Sequence, residues 1–354
     1  MSSKPYTVVL LVPTGIGAKI GGYAGDALPV ARAIAQGCDR LITHPNVLNG
    51  AQLYWSDPKI LYVEGYALDQ FALGNWGLTP VKYNSIGIIL DQGIEPELQL
   101  RHLQAADALR ATLGLTIQDY LITDAPLGVE LRSAPSGASW GTISNPGSLL
   151  RAAAKLIETA KVEAIAVVAR FPDEENSPAL QDYRQGSGVD PIAGAEAVIS
   201  HLIVRNFGIP AAHAPALQPL PLEPELSPKA AAEELGYTFF PCILVGLSRA
   251  PRLITSQSRA NLETIWADQV DAVIVPGDAC GSPALLGFSQ LKTQVIAVGE
   301  NQTRMQVTPE SLGIKAIRVQ SYLEALGVIV AENAGVAIES LRPELSSLSK
   351  SKLL

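Results

Sequence analysis

Short runs of aliphatic and β-branched residues recur along the chain, separated by longer stretches with helical periodicity. The runs Tyr6–Val12, Leu41–Thr43, Ile60–Val63, Ile86–Leu90 and Tyr120–Thr123 read as strands, as do Ala164–Ala169, Phe239–Val245, Ala272–Val275, Val295–Val298 and Ala316–Val319. Most are continuously apolar rather than alternating, the pattern of strands covered on both faces in a parallel sheet. Helical patterns fill the intervals at Asp26–Gln36, Glu95–Leu113, Ser148–Ala160, Ala193–Arg205, Arg259–Asp268 and Tyr322–Glu332. Strands alternating with helices predict right-handed crossovers and an α/β fold, a doubly wound, mostly parallel sheet or pair of sheets in a Rossmann-like arrangement.

One stretch breaks this rhythm. Ala214 to Pro228 carries Pro215, Pro219, Pro221, Pro224 and Pro228, and reads as a stiff, extended connector. It suggests an N-terminal α/β lobe over 1–213, a connector at 214–228, a C-terminal α/β lobe over 229–345 and a frayed tail from 346. A length of 354 residues suits either one large α/β domain or two lobes.

Composition narrows the class. Hydrophobic residues make up 47% and charged residues only 17%, so a sizeable core is available and some surface is expected to be covered in a homo-oligomer. A net charge of −8 without a basic run argues against nucleic acid. Cys38, Cys242 and Cys280 are too few and too far apart for a disulfide framework or a zinc ribbon. The start of the chain lacks the basic flank and long apolar segment of a signal peptide, and no apolar run would span a bilayer. On these grounds the expectation is a cytoplasmic protein with no membrane partner.

In open parallel sheets ligands bind beyond the carboxyl ends of the strands, so the residues that follow each strand matter most. The first such loop, from Thr14 to Gly25, holds Gly15, Gly17, Gly21, Gly22 and Gly25 and precedes a helix. Glycines let backbone amides turn toward an anion, and the helix would aim its positive end at it. Two named motifs do not fit. Lys19 is followed by Ile20 rather than Ser or Thr, which excludes a P-loop, and Gly21 falls one position late for a dinucleotide fingerprint. The alternative is a loop that packs against a neighbour.

A second loop offers Ser136, Gly137 and Ser139, whose hydroxyls and amides suit carboxylate or phosphate, with Trp140 to cover a flat substrate. Arg170 and Arg249 each follow an apolar run and are candidate anion clamps. His44, Glu64 and Asp124 follow other strands and are candidates for proton transfer, and His213 shares with His44 a backbone fixed by proline. Cys280, at an expected helix start, is a candidate nucleophile, although cysteine is more often a small buried hydrophobe. His102 and His201 lie within helical patterns and read as structural. A metal would draw on His44, His213 and nearby carboxylates, but no His-x-His or His-x-x-x-His pair supports one; no metal is assigned and no cofactor is identified.

Four segments together carry a resemblance: Pro13–Ala18 with Gly21–Asp26, Thr43–Gly50, Ser136–Thr142, and Val189–Glu196. They resemble a domain-of-unknown-function family of cyanobacterial and photosynthetic-lineage proteins, over nearly the whole chain. The resemblance implies a cytoplasmic setting and brings no active-site residues. From the residues alone, the leading expectation is an enzyme acting on a small anionic metabolite, phosphorylated or carboxylated. The alternative is a non-catalytic metabolite-binding or assembly protein using the same pocket.

Overall fold

The computed structural model describes residues 4–50, 57–173, 177–234, 239–256, 258, 260–345 and 347. The strands, in chain order, are β1 (Thr7–Leu10), β2 (Arg40–Thr43), β3 (Ile60–Tyr62), β4 (Gly77–Thr79) and β5 (Ile86–Leu90). They continue as β6 (Ile117–Ile122), β7 (Val129–Ser133), β8 (Ser139–Ile143), β9 (Ala164–Arg170) and β10 (Ala211–Ala216). The last four are β11 (Arg252–Ile254), β12 (Ala272–Pro276), β13 (Gln294–Val298) and β14 (Ala316–Val319). The helices begin with α1 (Leu28–Gly37), α2 (Pro45–Leu48), α3 (Gly65–Ala72), α4 (Pro96–Leu113) and α5 (Pro146–Thr159). They end with α6 (Pro178–Arg184), α7 (Ala193–Phe207), α8 (Ala231–Glu234), α9 (Phe239–Ser248), α10 (Pro283–Ser289) and α11 (Tyr322–Asn333).

The result is a mixed α/β fold with two parallel sheets flanked by helices. A six-stranded sheet runs β14-β13-β12-β1-β2-β3, and a four-stranded sheet runs β10-β9-β5-β6. Two antiparallel ribbons, β11-β4 and β7-β8, accompany the sheets. The central strands are apolar on both faces because both faces are covered. Val8 and Leu10 enter one core, with Ala31, Ile34 and Ile329 from α1 and α11. Val9 and Leu11 enter the other, with Leu68, Phe71 and Phe288 from α3 and α10. Each core continues into the four-stranded sheet, through Ile88 and Val168 in the first and Ile89 and Val167 in the second.

Pairing of β1 with β12 joins strands from the first and last thirds of the chain in one sheet, whereas the four-stranded sheet is drawn from residues between 86 and 216. A serial division at 213/214 would instead have kept β1 and β12 apart. The proline-rich stretch begins inside β10, where Pro215 pairs with Ala169, and proline is accommodated because β10 lies at the sheet edge.

Two elements differ from the sequence pattern. The apolar run Phe239–Val245 is helical, forming α9 rather than a strand. It is buried nearly all round against both α4 and β10, so its apolar residues show no period from which helix and strand could be told apart. Within Arg259–Asp268 no α-helix forms among the described residues; Asn261 and Thr264 close a turn, Ile265 bridges to Leu78 of β4, and a short 3-10 turn starts at Ala267. Among the described residues no helix is long and apolar enough to cross a membrane.

Candidate functional site

A cavity of about 100 Å³ lies where the carboxyl ends of β1–β3 meet α7 and β10. Its polar lining includes Thr14 after β1, His44 after β2, Glu64 after β3, His213 within β10, and Asp190, Glu196, Ser200 and His201 from α7 and the turn before it. Glu196 and Ser200 stand four residues apart on α7, as do Ala197 and His201, so one helix face delivers all of them.

Glu64 organises the cavity. It is 5% exposed and caps α3, with one carboxylate oxygen accepting the Tyr66 and Ala67 amides at 2.8 and 3.2 Å. Its other oxygen faces His201 Nε2 at 2.9 Å and accepts from the Ser200 hydroxyl at 3.4 Å. Gly65 leaves room for this approach, since a Cβ there would sit 3.1 Å from His201 Nε2, a tight contact. Burial opposes a charge on His201, yet the Glu64 carboxylate outweighs it and raises the His201 pKa.

Two other histidines are held neutral. Burial pushes His44 down to about 4 and His213 down to about 3. The Val12 amide donates to His44 Nε2 at 3.2 Å, which assigns the proton to Nδ1 and makes His44 a donor rather than a base. His213 Nδ1 lies 3.0 Å from Ser200 Oγ. Ser200 Oγ lies 3.4 Å from both Glu64 Oε1 and Ala197 O, and His213 Nε2 lies 4.0 Å from Glu196. Asp190 accepts from the Ile192 amide at 2.9 Å, and burial raises its carboxyl to about 6.

The structure therefore brings His44, Glu64 and Thr14 together and adds His201, His213, Asp190, Glu196 and Ser200. Of the expected residues the rest are elsewhere. The Ser139 amide donates to Gly15 O, the Arg304 amide to Ile16 O, and the Gly21 amide to the Asp26 side chain, so the glycine loop is knitted into its surroundings. A Cβ at Gly21 would lie 2.4 Å from Val12, one at Gly22 would lie 2.2 Å from Ala18 O, and one at Gly17 would meet Val189 at 3.0 Å. These glycines permit close packing, and of the loop only Thr14 and Ala24 reach the cavity.

Ser136 and Gly137 form the exposed turn of the β7–β8 ribbon, whereas Ser139 accepts the Gly194 amide at the start of α7. Arg170 is paired with Glu95 at 2.9 Å and with Asp173. Arg249 is exposed after α9, away from the cavity lining. Asp124 is exposed, and Arg151 and Ser148 hold its carboxyl below the usual range. Cys280 is fully buried, and burial pushes its thiol up to about 11, so it lacks the thiolate a nucleophile needs. The sequence signal for α7 was its i,i+4 polar pairs inside an apolar helix; the convergence with β3 and β10 had no local signal.

No solved structure matches the chain. A Synechococcus protein named an uncharacterized lipoprotein is 58% identical over 343 residues, spanning 97% of this chain and 95% of that protein. That name speaks against the cytoplasmic location expected from the N-terminus, and the expectation is withdrawn. A lipid anchor needs no spanning helix, so the absence of a long apolar run carried no weight on the point. A family model described as "Protein of unknown function (DUF3326)" matches residues 7–342, and the chain belongs to that family.

Proposed function

We propose that this chain is an enzyme that moves a proton on a small metabolite held in the His44–His213 cavity. The series of contacts His213–Ser200–Glu64, with His213 lining the cavity, carries this reading. His213 Nε2 takes a proton from the substrate. The resulting imidazolium donates through Nδ1 to Ser200, whose hydroxyl donates to the Glu64 carboxylate, while Glu196 faces the new charge from the other side. His44 Nδ1–H supplies a hydrogen bond to the substrate atom on which negative charge develops. Glu64, fixed by the α3 amides, orients Ser200 and offsets the charge without itself taking the proton.

An anionic head group would meet Glu64, Asp190 and Glu196, with no lysine or arginine among the described lining residues. A neutral or cationic polar head fits this cavity better than the phosphorylated or carboxylated one expected from the loops.

Incubation of the protein with a soluble metabolite extract in D2O, followed by mass spectrometry, tests the proposal. Wild type is expected to convert or deuterate a small molecule at least about 100-fold faster than His213→Gln or Glu64→Gln, both checked for folding by circular dichroism. A molecule that binds and is never exchanged or altered would establish a non-catalytic binding protein instead.

A further inference from the structure

The polar cavity, at about 100 Å³, is well below the roughly 300–1,000 Å³ usual for small-molecule sites. A substrate seated there must extend beyond it. Asp190, Ile192 and Phe239 line this cavity and also line a second one of about 470 Å³. The second falls within the roughly 300–1,000 Å³ of small-molecule sites. Its walls are mainly apolar, including Pro172, Leu180, Pro215, Leu217, Leu220 and Pro219. Its charged side chains are largely spent in pairs: Arg184, 5% exposed, binds Glu234 at 2.6 Å, and Asp173 holds Arg170. The proline-rich stretch forms one wall, and its stiffness limits the ordering cost of holding a ligand.

We infer that the substrate is an amphipathic small molecule, with a compact neutral or cationic head among His44, Glu64, Glu196 and His213 and an aliphatic or aromatic tail along the Leu217–Leu220 wall. This rests on the acid–base reading of the smaller cavity for its head and on the adjoining walls for its tail. A tail of this kind gives the binding energy that a few-atom head cannot supply, since each buried methylene strengthens binding about fourfold.

Calorimetric titration with the n-alkylamines from propylamine to octylamine tests head and tail separately. Affinity is expected to rise about fourfold per methylene until the larger cavity fills. Leu217→Trp or, should that variant fold poorly, Leu220→Trp is expected to flatten the series while leaving propylamine binding within twofold. Glu196→Gln is expected to weaken every member by a similar factor. A flat series in wild type overturns the tail and leaves the head intact. If no amine binds, the cationic head is wrong, and Nile red, a neutral apolar dye, then decides the tail. Uptake of one dye per chain, lost in the tryptophan variant, upholds the apolar site; no uptake, or one dye per two chains, overturns it.

Discussion

Two stretches that border the same cavity spend their hydrogen-bonding groups in opposite ways. From Ile16 to Gly25 several backbone groups are taken up by neighbouring segments: the Lys19 amide goes to Gln302 O, Ile20 to the Asn301 side chain and Gly25 to Asn46 O. Along α7 and β10 the backbone is satisfied by helix and sheet, which leaves Glu196, Ser200 and His213 with side chains directed at one another and at the cavity. A glycine-rich loop supplies permissive geometry, and here that geometry serves packing. Reactive groups come instead from regular elements, which hold side chains more rigidly than a loop does.

The largest effect expected from this contrast falls on the loop. Gly21→Ala places a Cβ 2.4 Å from Val12 Cγ1 at a φ of +90°, and should cost about 3 kcal/mol in urea denaturation. A variant that kept full stability but lost ligand binding would reverse the assignment and return the loop to anion binding.

Next in size is a pH effect that belongs to the other stretch. His213 has a folded pKa near 3, below its unfolded value near 6.5, so the unfolded chain binds the extra proton in acid. Stability is therefore full above about pH 6.5 and falls as pH drops toward 3. Between pH 7 and 5 His213 should account for about 2 kcal/mol of that loss, and His213→Gln should lose correspondingly less over the same range. Asp190 works in the opposite direction: its raised carboxyl favours the folded state in acid, and that benefit disappears as pH rises through about 6. Urea melts at both pH values read the difference, and equal pH slopes for variant and wild type would mean that His213 is not held neutral by burial.

The smallest effect is expected at Asp124. Its exposed pairing with Arg151 is solvent-screened, so Asp124→Asn should leave both the urea midpoint and the D2O exchange unchanged within error. A marked loss of exchange would extend the site beyond the cavity.

Much of the fold was legible because the buried strands are short apolar runs between recognisable helices: β5, β9, β12, β13 and α4, α5, α7 and α11 all fall close to where periodicity places them. The edge strand β10 was not, because Ala211–Ala216 consists of small residues, a histidine and a proline with no strand-like pattern. In α9, burial on every side erased the helical period. At the site, His44 and Glu64 were visible as polar groups after parallel strands. His201 was not, because a histidine inside an apolar helix looks the same from the sequence whether it faces a core or a buried glutamate 137 positions earlier. Arg170 shows the converse: its place after β9 suggested a clamp, and the carboxylates that neutralise it come from residues 95 and 173.

The pairing of β1 between β2 and β12 also constrains how the molecule is made. During synthesis residues 7–10 emerge more than 260 positions before their second partner, so one side of a fully buried strand waits unpaired while the four-stranded sheet can already close. The contact is long-range in sequence, and such contacts slow folding. Any product ending before residue 272 would keep that open edge permanently and be prone to self-association, so the C-terminal strands act as the closing step of assembly.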